Sequence, residues 1–163
     1  MKEFTGKVWI LGDDIDTDII IPTEYLALPT VEDMKKYGFS PLRPELAGLI
    51  KEGDIIVAGK NFGCGSSREQ APEIIKALKV SCVIAKSYAR IFFRNSINNG
   101  LLLIENDQIQ DAVKEGDSLT VKMGESLIHN GKEYPISSLP QNLMDIIEAG
   151  GLVGAMQKLN GLR

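Results

Sequence analysis

The sequence predicts an α/β fold in a single domain spanning residues 1–163, on three observations. Short apolar runs at 54–58, 81–86 and 101–104 alternate with helical patterns, as in parallel strands joined by crossover helices. The region after residue 118 is rich in strand-forming residues and contains a hairpin signal, Asn130-Gly131, so the sheet is expected to be mixed. The chain has the length of one domain, and no internal linker divides it.

Composition excludes several classes of function. The formal net charge is −4, so the chain lacks the basic surface that nucleic-acid binding requires. No apolar run approaches the ~20 residues needed to cross a bilayer, and the first residues carry no signal-peptide pattern. We therefore expect a soluble, cytoplasmic protein.

Cysteine and histidine are scarce. Cys64 and Cys82 are the only cysteines, whereas an iron–sulfur cluster commonly needs three or four thiolates. With the single histidine, His129, the chain is expected to hold no metal or cofactor of its own. We expect Cys82 to be buried, Cys64 to be more exposed, and His129 to lie at the surface beside the hairpin turn, which argues against a Ser/His/Asp triad.

The first strand is predicted at 7–11 and leads into an acidic turn, Asp13 to Asp18. Three interpretations stay open for this turn. It resembles a calcium loop, although it lacks the central glycine and closing glutamate of an EF-hand. In the second interpretation, its aspartates are turn residues that bond nearby backbone amides. In the third interpretation, one of these acids orients an arginine, and Arg68 is the natural candidate.

The loop that follows is unusually apolar, with Tyr25, Leu26, Ala27, Leu28, Pro29 and Thr30 in succession. It is expected either to contact a ligand or partner or to fold onto the core. Two short helices are predicted after it, at 31–37 and 44–51.

A glycine turn then connects the strand at 54–58 to a helix around Ile74, Ile75 and Leu78. It contains Gly59, Gly63 and Gly65, followed by Ser66, Ser67 and Arg68. Glycines and hydroxyls at a helix start are typical of an anion site. The same residues also fit a capping box, with Glu69 or Gln70 as the returning side chain.

The remaining elements follow from periodicity and turn signals. A helix at 87–98 is predicted to turn Ile91, Phe92 and Ile97 toward the sheet. The others are a helix at 107–114, strands at 119–123 and 127–136, and a helical tail at 140–159. Lys-Glu-Gly-Asp occurs at 51–54 and again at 114–117, which we interpret as shared turn chemistry.

Two classes of function are consistent with these residues. In the first, the chain is part of an enzyme for a small carboxylated substrate, with Arg68 gripping a carboxylate and a serine handling a proton. In the second, it is a non-catalytic anion-binding module. The chain has no Gly-x-x-x-x-Gly-Lys-Ser/Thr sequence, which argues against a nucleoside-triphosphate site.

Three motifs in order, at 13–22, 61–72 and 87–100, resemble the aconitase swivel domain. The chain most closely resembles the family of free-standing small subunits of 3-isopropylmalate dehydratase (isopropylmalate isomerase). The resemblance implies a swivelling β/β/α domain with mixed sheets. It also implies a separate large subunit that carries a four-iron four-sulfur cluster. Self-association of the isolated small chain stays open as a further mode of assembly.

The family's chemistry is removal and re-addition of water on a hydroxy-dicarboxylate, which for isopropylmalate serves leucine biosynthesis. By motif, Ser66 resembles the base that removes the carbon-bound proton. Ser67 and Arg68 resemble ligands of a substrate carboxylate. Thr17 and Asp18 match the family's acidic-turn site positions, with Asp18 orienting a basic group.

In this family the loop at 25–30 is where substrate specificities differ. Relatives acting on tricarboxylates present an arginine near this loop, whereas this chain has Ala27 and Leu28 and no arginine until Arg43. An isopropyl group is favoured against aliphatic residues, because a third carboxylate would lack a counter-charge. Gln70 departs from the family pattern, which often has histidine there. A homoaconitase-type or dual-specificity hydro-lyase is the alternative.

Overall fold

A computed structural model describes residues 3–159 and confirms the α/β prediction. The strands are β1 (Glu3–Ile10), β2 (Ile55–Val57), β3 (Cys82–Ala85), β4 (Leu103–Glu105), β5 (Ser118–Lys122), β6 (Ser126–His129) and β7 (Lys132–Pro135). The helices are α1 (Thr17–Ile20), α2 (Val31–Met34), α3 (Leu46–Leu49), α4 (Gln70–Ala77), α5 (Arg90–Asn98), α6 (Ile109–Ala112), α7 (Gln141–Glu148) and α8 (Leu152–Leu159). None of the helices within this range is long and apolar enough to cross a membrane.

The strands form one mixed sheet in the order β4-β3-β2-β1-β5-β6-β7. Strand β1 lies at the centre and joins two kinds of pairing. Its carboxyl-terminal half, Val8 to Ile10, pairs in parallel with β2, and its first half pairs antiparallel with β5. The parallel part, β1 to β4, therefore directs several strand ends toward the same edge, where the following loops meet.

Each face of the parallel strands has its own core. Trp9, Ile56 and Val83 belong to one buried cluster, while their neighbours Val8 and Ile55 belong to the other. Because successive side chains of a strand point to opposite faces, a run buried on both faces must be continuously apolar. This explains why 54–58 and 81–86 were recognisable as strands from sequence.

The helix predicted at 87–98 begins only at Arg90. Before it, the Tyr88 hydroxyl lies 2.8 Å from the carbonyl oxygen of Val83 and 2.7 Å from that of Ile104, and its single O–H is shared between these two acceptors, which holds the chain beside the sheet. Phe92 and Ile97 are buried as predicted. The prediction for Ile91 was wrong, since its side chain is 56% exposed and faces away from the core.

The prediction that His129 is a surface residue was also wrong. It is only 7% exposed, and its Nε2 lies 2.8 Å from Asp117 Oδ2. Cys82 is fully buried as predicted, and Cys64 is partly exposed. Neither cysteine forms a disulfide, and burial raises the pKa of both thiols.

The repeated Lys-Glu-Gly-Asp segments adopt the same turn, which confirms the interpretation as shared turn chemistry. The amide of Lys51 donates to Asp54 Oδ2 at 2.8 Å, and that of Lys114 donates to Asp117 Oδ2 at 2.9 Å. In each turn the aspartate amide donates back to the lysine carbonyl at 3.0 Å. The predicted hairpin at 130–131 and the helices on both sides of 150–151 are likewise present.

Candidate functional site

The glycine turn lies at the carboxyl end of β2, beside the loop that leaves the neighbouring strand β1. Backbone hydrogen bonds of 2.8–3.0 Å join the two loops along their length. These bonds run from Gly59 to the carbonyl of Gly12, from Asp14 to Lys60, from Gly63 to Ile15, and from Thr17 to Cys64. The acidic turn therefore packs alongside the glycine turn and fixes its backbone through these hydrogen bonds.

Gly63 is required at its position for two reasons. Its φ is +82°, a conformation that other residues rarely adopt. A Cβ there would lie 2.1 Å from Cγ of Phe92. The turn can thus pass directly over the Phe92 ring at the start of α5, which brings the following serines next to that helix.

The aspartates of the acidic turn confirm the backbone-bonding interpretation. Asp13 Oδ1 accepts from the Lys60 amide at 2.7 Å, and Asp16 Oδ1 accepts from the Ile19 amide at 2.9 Å as the cap of α1. Within residues 3–159, no three Cys, His, Asp or Glu side chains lie together in a way that could hold a metal ion. The turn is built by hydrogen bonds between the protein's own groups.

Arg68 is held in place by residues of the first loop. Its Nη1 donates to the carbonyl of Ile21 at 2.9 Å, and its Nη2 donates to Thr23 Oγ1 at 2.8 Å. Asp18 Oδ1 lies 2.5 Å from Nη2, as the arginine-orienting interpretation of the acidic turn requires. The Arg68 side chain is only 13% exposed, so the ion pair fixes a largely buried guanidinium.

Thr17 fixes the serine segment rather than presenting a free hydroxyl. The residue is 3% exposed, and its Oγ1 donates to the backbone carbonyl of Ser66 at 2.7 Å. The hydroxyl proton of Thr17 is therefore already used. Its contribution on this chain is to set the direction of the Ser66 backbone.

The capping-box interpretation of Ser66 and Ser67 was wrong. Helix α4 begins at Gln70 with Glu69 as its N-cap, and that cap makes no side-chain hydrogen bond. Both serines are exposed, and neither hydroxyl has a hydrogen-bond partner among the described residues. The two hydroxyls are thus available to a ligand.

A cavity of about 310 Å³ lies between the serines and the first turns of α5. It is lined by Thr17, Gly63, Gly65, Ser66, Ser67, Arg68, Ala89, Arg90, Ile91, Phe92 and Asn95. A larger cavity of about 590 Å³ lies between α7 and α8, but its described lining contains no arginine and no serine. Chemistry rather than size therefore identifies the smaller cavity as the candidate site.

Sequence reasoning missed Arg90, Ile91 and Asn95 as site residues. A signal was available, because β3 was predicted to follow β2 in a parallel arrangement. The loops after neighbouring parallel strands leave the sheet at the same edge, so the segment after β3 had to lie beside the glycine turn. Thr23, which holds Arg68, was also missed, and nothing in its local sequence distinguishes it.

No residue of the loop at 25–30 lines this cavity. Tyr25 stacks on Tyr37 with ring centroids 4.0 Å apart, and Leu26 and Leu28 pack against the core. Thr30 Oγ1 accepts from the Asp33 amide at 3.1 Å and caps α2. Packing onto the core accounts for the large apolar residues here, while Ala27 and Pro29 remain exposed. A role in substrate specificity stays a prediction.

Comparisons with known proteins agree with this geometry. Residues 47–109 match the model of the aconitase C-terminal domain. The chain is 77% identical over 161 residues to a 3-isopropylmalate dehydratase small subunit from Lachnospira eligens, covering 99% of this chain and 98% of that protein. It is 52% identical to 3-isopropylmalate dehydratase small subunit 1 of Archaeoglobus fulgidus, over 91% and 93% of the two chains. A crystal structure of 3-isopropylmalate dehydratase from Methanocaldococcus jannaschii superposes with a TM-score of 0.92 at 38% identity, covering 98% of this chain and 96% of that one.

Proposed function

This chain belongs to the family of 3-isopropylmalate dehydratase small subunits, and we propose that it forms half of a hydro-lyase active site with a large subunit. The reaction interconverts 2-isopropylmalate and 3-isopropylmalate by loss and re-addition of water, in leucine biosynthesis, and we place it in the cytoplasm. The observation that carries the proposal is one cavity that contains two free serine hydroxyls and a fixed arginine.

Arg68 and Ser67 would bind a substrate carboxylate. A guanidinium presents its N–H groups in a planar fork that matches a carboxylate, and its charge strengthens each hydrogen bond. Asp18, Thr23 and the Ile21 carbonyl engage Nη1 and Nη2, whereas the Nε–H of Arg68 has no partner within residues 3–159. The arginine is thus positioned before substrate arrives, so less conformational entropy is lost on binding.

Ser66 would remove the carbon-bound proton. A serine hydroxyl is a poor base, because its alkoxide form is costly unless nearby charges stabilise it. The described lining of the cavity contains two arginines and no carboxylate, so the charged side chains that border it are of the sign that stabilises an anionic oxygen. Thr17 adds precision by holding the Ser66 backbone. Further stabilisation would come from the large subunit when the two chains assemble.

The large subunit would carry the four-iron four-sulfur cluster. Two cysteines and one histidine on this chain do not fit a cluster that needs three or four thiolates. When bound, such a cluster supplies a Lewis-acidic iron for the substrate's oxygen atoms. This chain would contribute the proton transfer and the carboxylate contacts.

Isopropylmalate is favoured over a tricarboxylate because Arg43 is already ion-paired within the protein. Arg43 is the nearest arginine after the loop at 25–30, and it makes a two-pronged ion pair with Glu115 at 2.6 and 3.0 Å. It also contacts Glu45 at 3.3 Å. Because its charge is already balanced, Arg43 is not free to meet a third carboxylate. A homoaconitase-type or dual-specificity enzyme is the second candidate, since Ala27 is exposed and could accommodate more than one substrate branch.

The test is reconstitution with the cognate large subunit under anaerobic conditions, with isopropylmalate, citrate and homocitrate assayed side by side. We expect turnover of isopropylmalate in clear preference to the other two. Comparable rates on homocitrate would support the second candidate, and anion binding without any turnover would support a non-catalytic module. Ala27→Arg should move the preference toward tricarboxylates, and an unchanged preference would show that this loop does not read the substrate.

A further inference from the structure

Arg90 is a second arginine in the candidate site, and its chemistry is not accounted for by the roles given above. It is the first residue of α5 and lines the same cavity as Ser66, Ser67 and Arg68. Its side chain is exposed, and no acid or hydrogen-bond acceptor of the described chain contacts it. An arginine with free N–H groups beside a polar cavity is suited to an anionic ligand.

The two arginines differ in how many donors they can offer. Arg68 already contacts Ile21, Thr23 and Asp18 through Nη1 and Nη2. Asp18 also neutralises part of its charge. Arg90 has neither restriction within residues 3–159, so its whole fork and its full charge remain available. A single Arg68 cannot serve two carboxylates with equal strength.

The two arginines that line the cavity match a ligand with two carboxylates. The cavity's described lining contains Arg68 and Arg90 as the charged residues and no Asp or Glu. Isopropylmalate is a dicarboxylate, so a second carboxylate must also be matched on one of the two subunits. The same cavity is lined by Ser66 and Ser67, whose hydroxyls have no hydrogen-bond partner within residues 3–159.

We propose that Arg90 binds the second carboxylate of the substrate, while Arg68 binds the first. This proposal rests on the proposed function, because it takes the substrate to be a hydroxy-dicarboxylate. Arg90 is thereby assigned as a substrate-binding residue that orients the carbon skeleton between the two arginines. Ile91, which is exposed on the same turn of α5, would border the substrate on its apolar side.

Arg94 provides a matched control for testing Arg90. It is an exposed arginine on the same helix, one turn further along, and it does not line the cavity. Arg90→Gln and Arg94→Gln each remove one positive charge from α5. A general effect of helix charge on assembly or stability would therefore appear in both variants, whereas a substrate contact would appear only in the first.

The experiment uses the reconstituted complex of this chain with its large subunit. For Arg90→Gln we expect kcat/KM for isopropylmalate to fall about tenfold or more, the loss typical of a charged hydrogen-bonding partner, mainly through KM. Arg94→Gln should stay close to the wild-type value. The affinity of the small subunit for the large subunit, measured by titrating one against the other, should be unchanged in both variants.

A second measurement separates substrate binding from a structural role. A dicarboxylate inhibitor is compared with its two half-amides, in each of which one carboxylate is replaced by a neutral amide. Wild-type complex should bind both half-amides less tightly than the inhibitor. In Arg90→Gln the preference for carboxylate over amide should disappear at one of the two positions and persist at the other. A structural defect would weaken all three compounds alike.

Three results would overturn the proposal. These are a wild-type kcat/KM for Arg90→Gln, a loss of subunit affinity large enough to account for its lost activity, and an unchanged preference at both carboxylate positions. The proposed function fails separately, through a wild-type complex that does not turn over isopropylmalate. If that complex acts on another dicarboxylate, the same variants and half-amides of that compound decide the role of Arg90.

Discussion

Two turns of this molecule use their polar groups in opposite ways. In the Lys51–Asp54 turn, Asp54 Oδ2 accepts from the Lys51 amide at 2.8 Å and from Trp9 Nε1 at 2.7 Å. In the glycine turn, the hydroxyls of Ser66 and Ser67 have no partner within residues 3–159. In the first turn the Asp54 carboxylate is bonded to donors of the protein itself, whereas in the second the two serine hydroxyls remain available to a ligand.

The difference separates stability from function. Asp54 and Trp9 are both nearly buried, so loss of either partner would leave a desolvated polar group, which is costly. Ser66 and Ser67 are exposed, and removing their hydroxyls leaves nothing unsatisfied. Substitutions of Ser66 or Ser67 should therefore affect activity with little effect on stability, and substitution of Asp54 should do the reverse.

The largest effect is expected for Ser66→Ala. We expect kcat of the reconstituted complex to fall about 10²- to 10⁴-fold, the range for loss of a general base. The free energy of unfolding should change by less than about 0.5 kcal/mol, since the side chain is exposed and its hydroxyl makes no hydrogen bond within residues 3–159. Steady-state kinetics and urea unfolding measure the two quantities. Near-normal activity in an assembled complex would reject Ser66 as the base.

Arg68→Lys should have the next largest effect on activity. One ammonium group cannot reproduce the contacts with Ile21, Thr23 and Asp18 while also presenting a planar fork to a carboxylate. We expect kcat/KM to fall about tenfold to a hundredfold. Arg94→Lys is the control and should behave as wild type. A mild loss for Arg68→Lys would limit Arg68 to supplying positive charge.

Asp54→Ala should reverse the pattern. It leaves the buried Trp9 Nε1–H without its acceptor and removes the partly buried bond from the Lys51 amide, so we expect a loss of about 1–3 kcal/mol in the free energy of unfolding. Denaturant unfolding followed by Trp9 fluorescence measures this loss. Under conditions where the variant is folded, kcat should be close to wild type. A folded variant that keeps the wild-type free energy of unfolding but loses kcat would contradict the separation between the two turns.

The smallest effect is expected in the second Lys-Glu-Gly-Asp turn and concerns pH. The Lys114 amide and the contact with His129 lower the pKa of Asp117 below its usual value. A lowered pKa in the folded state means that this contribution to stability is fully present above the unfolded pKa, near pH 4, and is lost as pH falls through the folded pKa.

The free energy of unfolding should therefore fall less steeply with decreasing pH in Asp117→Asn than in the wild type. Denaturant unfolding at a series of pH values below about 5 measures this difference. An acid-side decline identical to wild type in Asp117→Asn would show that its carboxylate does not contribute.

Local sequence was sufficient for much of this protein. Continuous apolar runs identified the parallel strands because both of their faces are buried. Asn130-Gly131 identified the hairpin, and the repeated tetrapeptide specified the same turn twice. The turns depend on bonds between residues only a few positions apart, such as the Lys51 amide to Asp54. The shortage of cysteines also excluded a cluster on this chain without any structural information.

Tertiary structure alone decided how the candidate site is assembled. The hydrogen bonds of Tyr88 to β3 and β4 delay the start of α5 and expose Arg90 and Ile91 beside the glycine turn. Whether Ser66 capped α4 or stayed free depended on where that helix began, which adjacent residues did not specify. His129 on β6 was misassigned because its hydrogen-bond partner, Asp117, lies in the turn before the neighbouring strand β5 and not in the segment around His129. Contacts between segments far apart in the chain are fixed by which strands are neighbours, and that order is a property of the whole sheet.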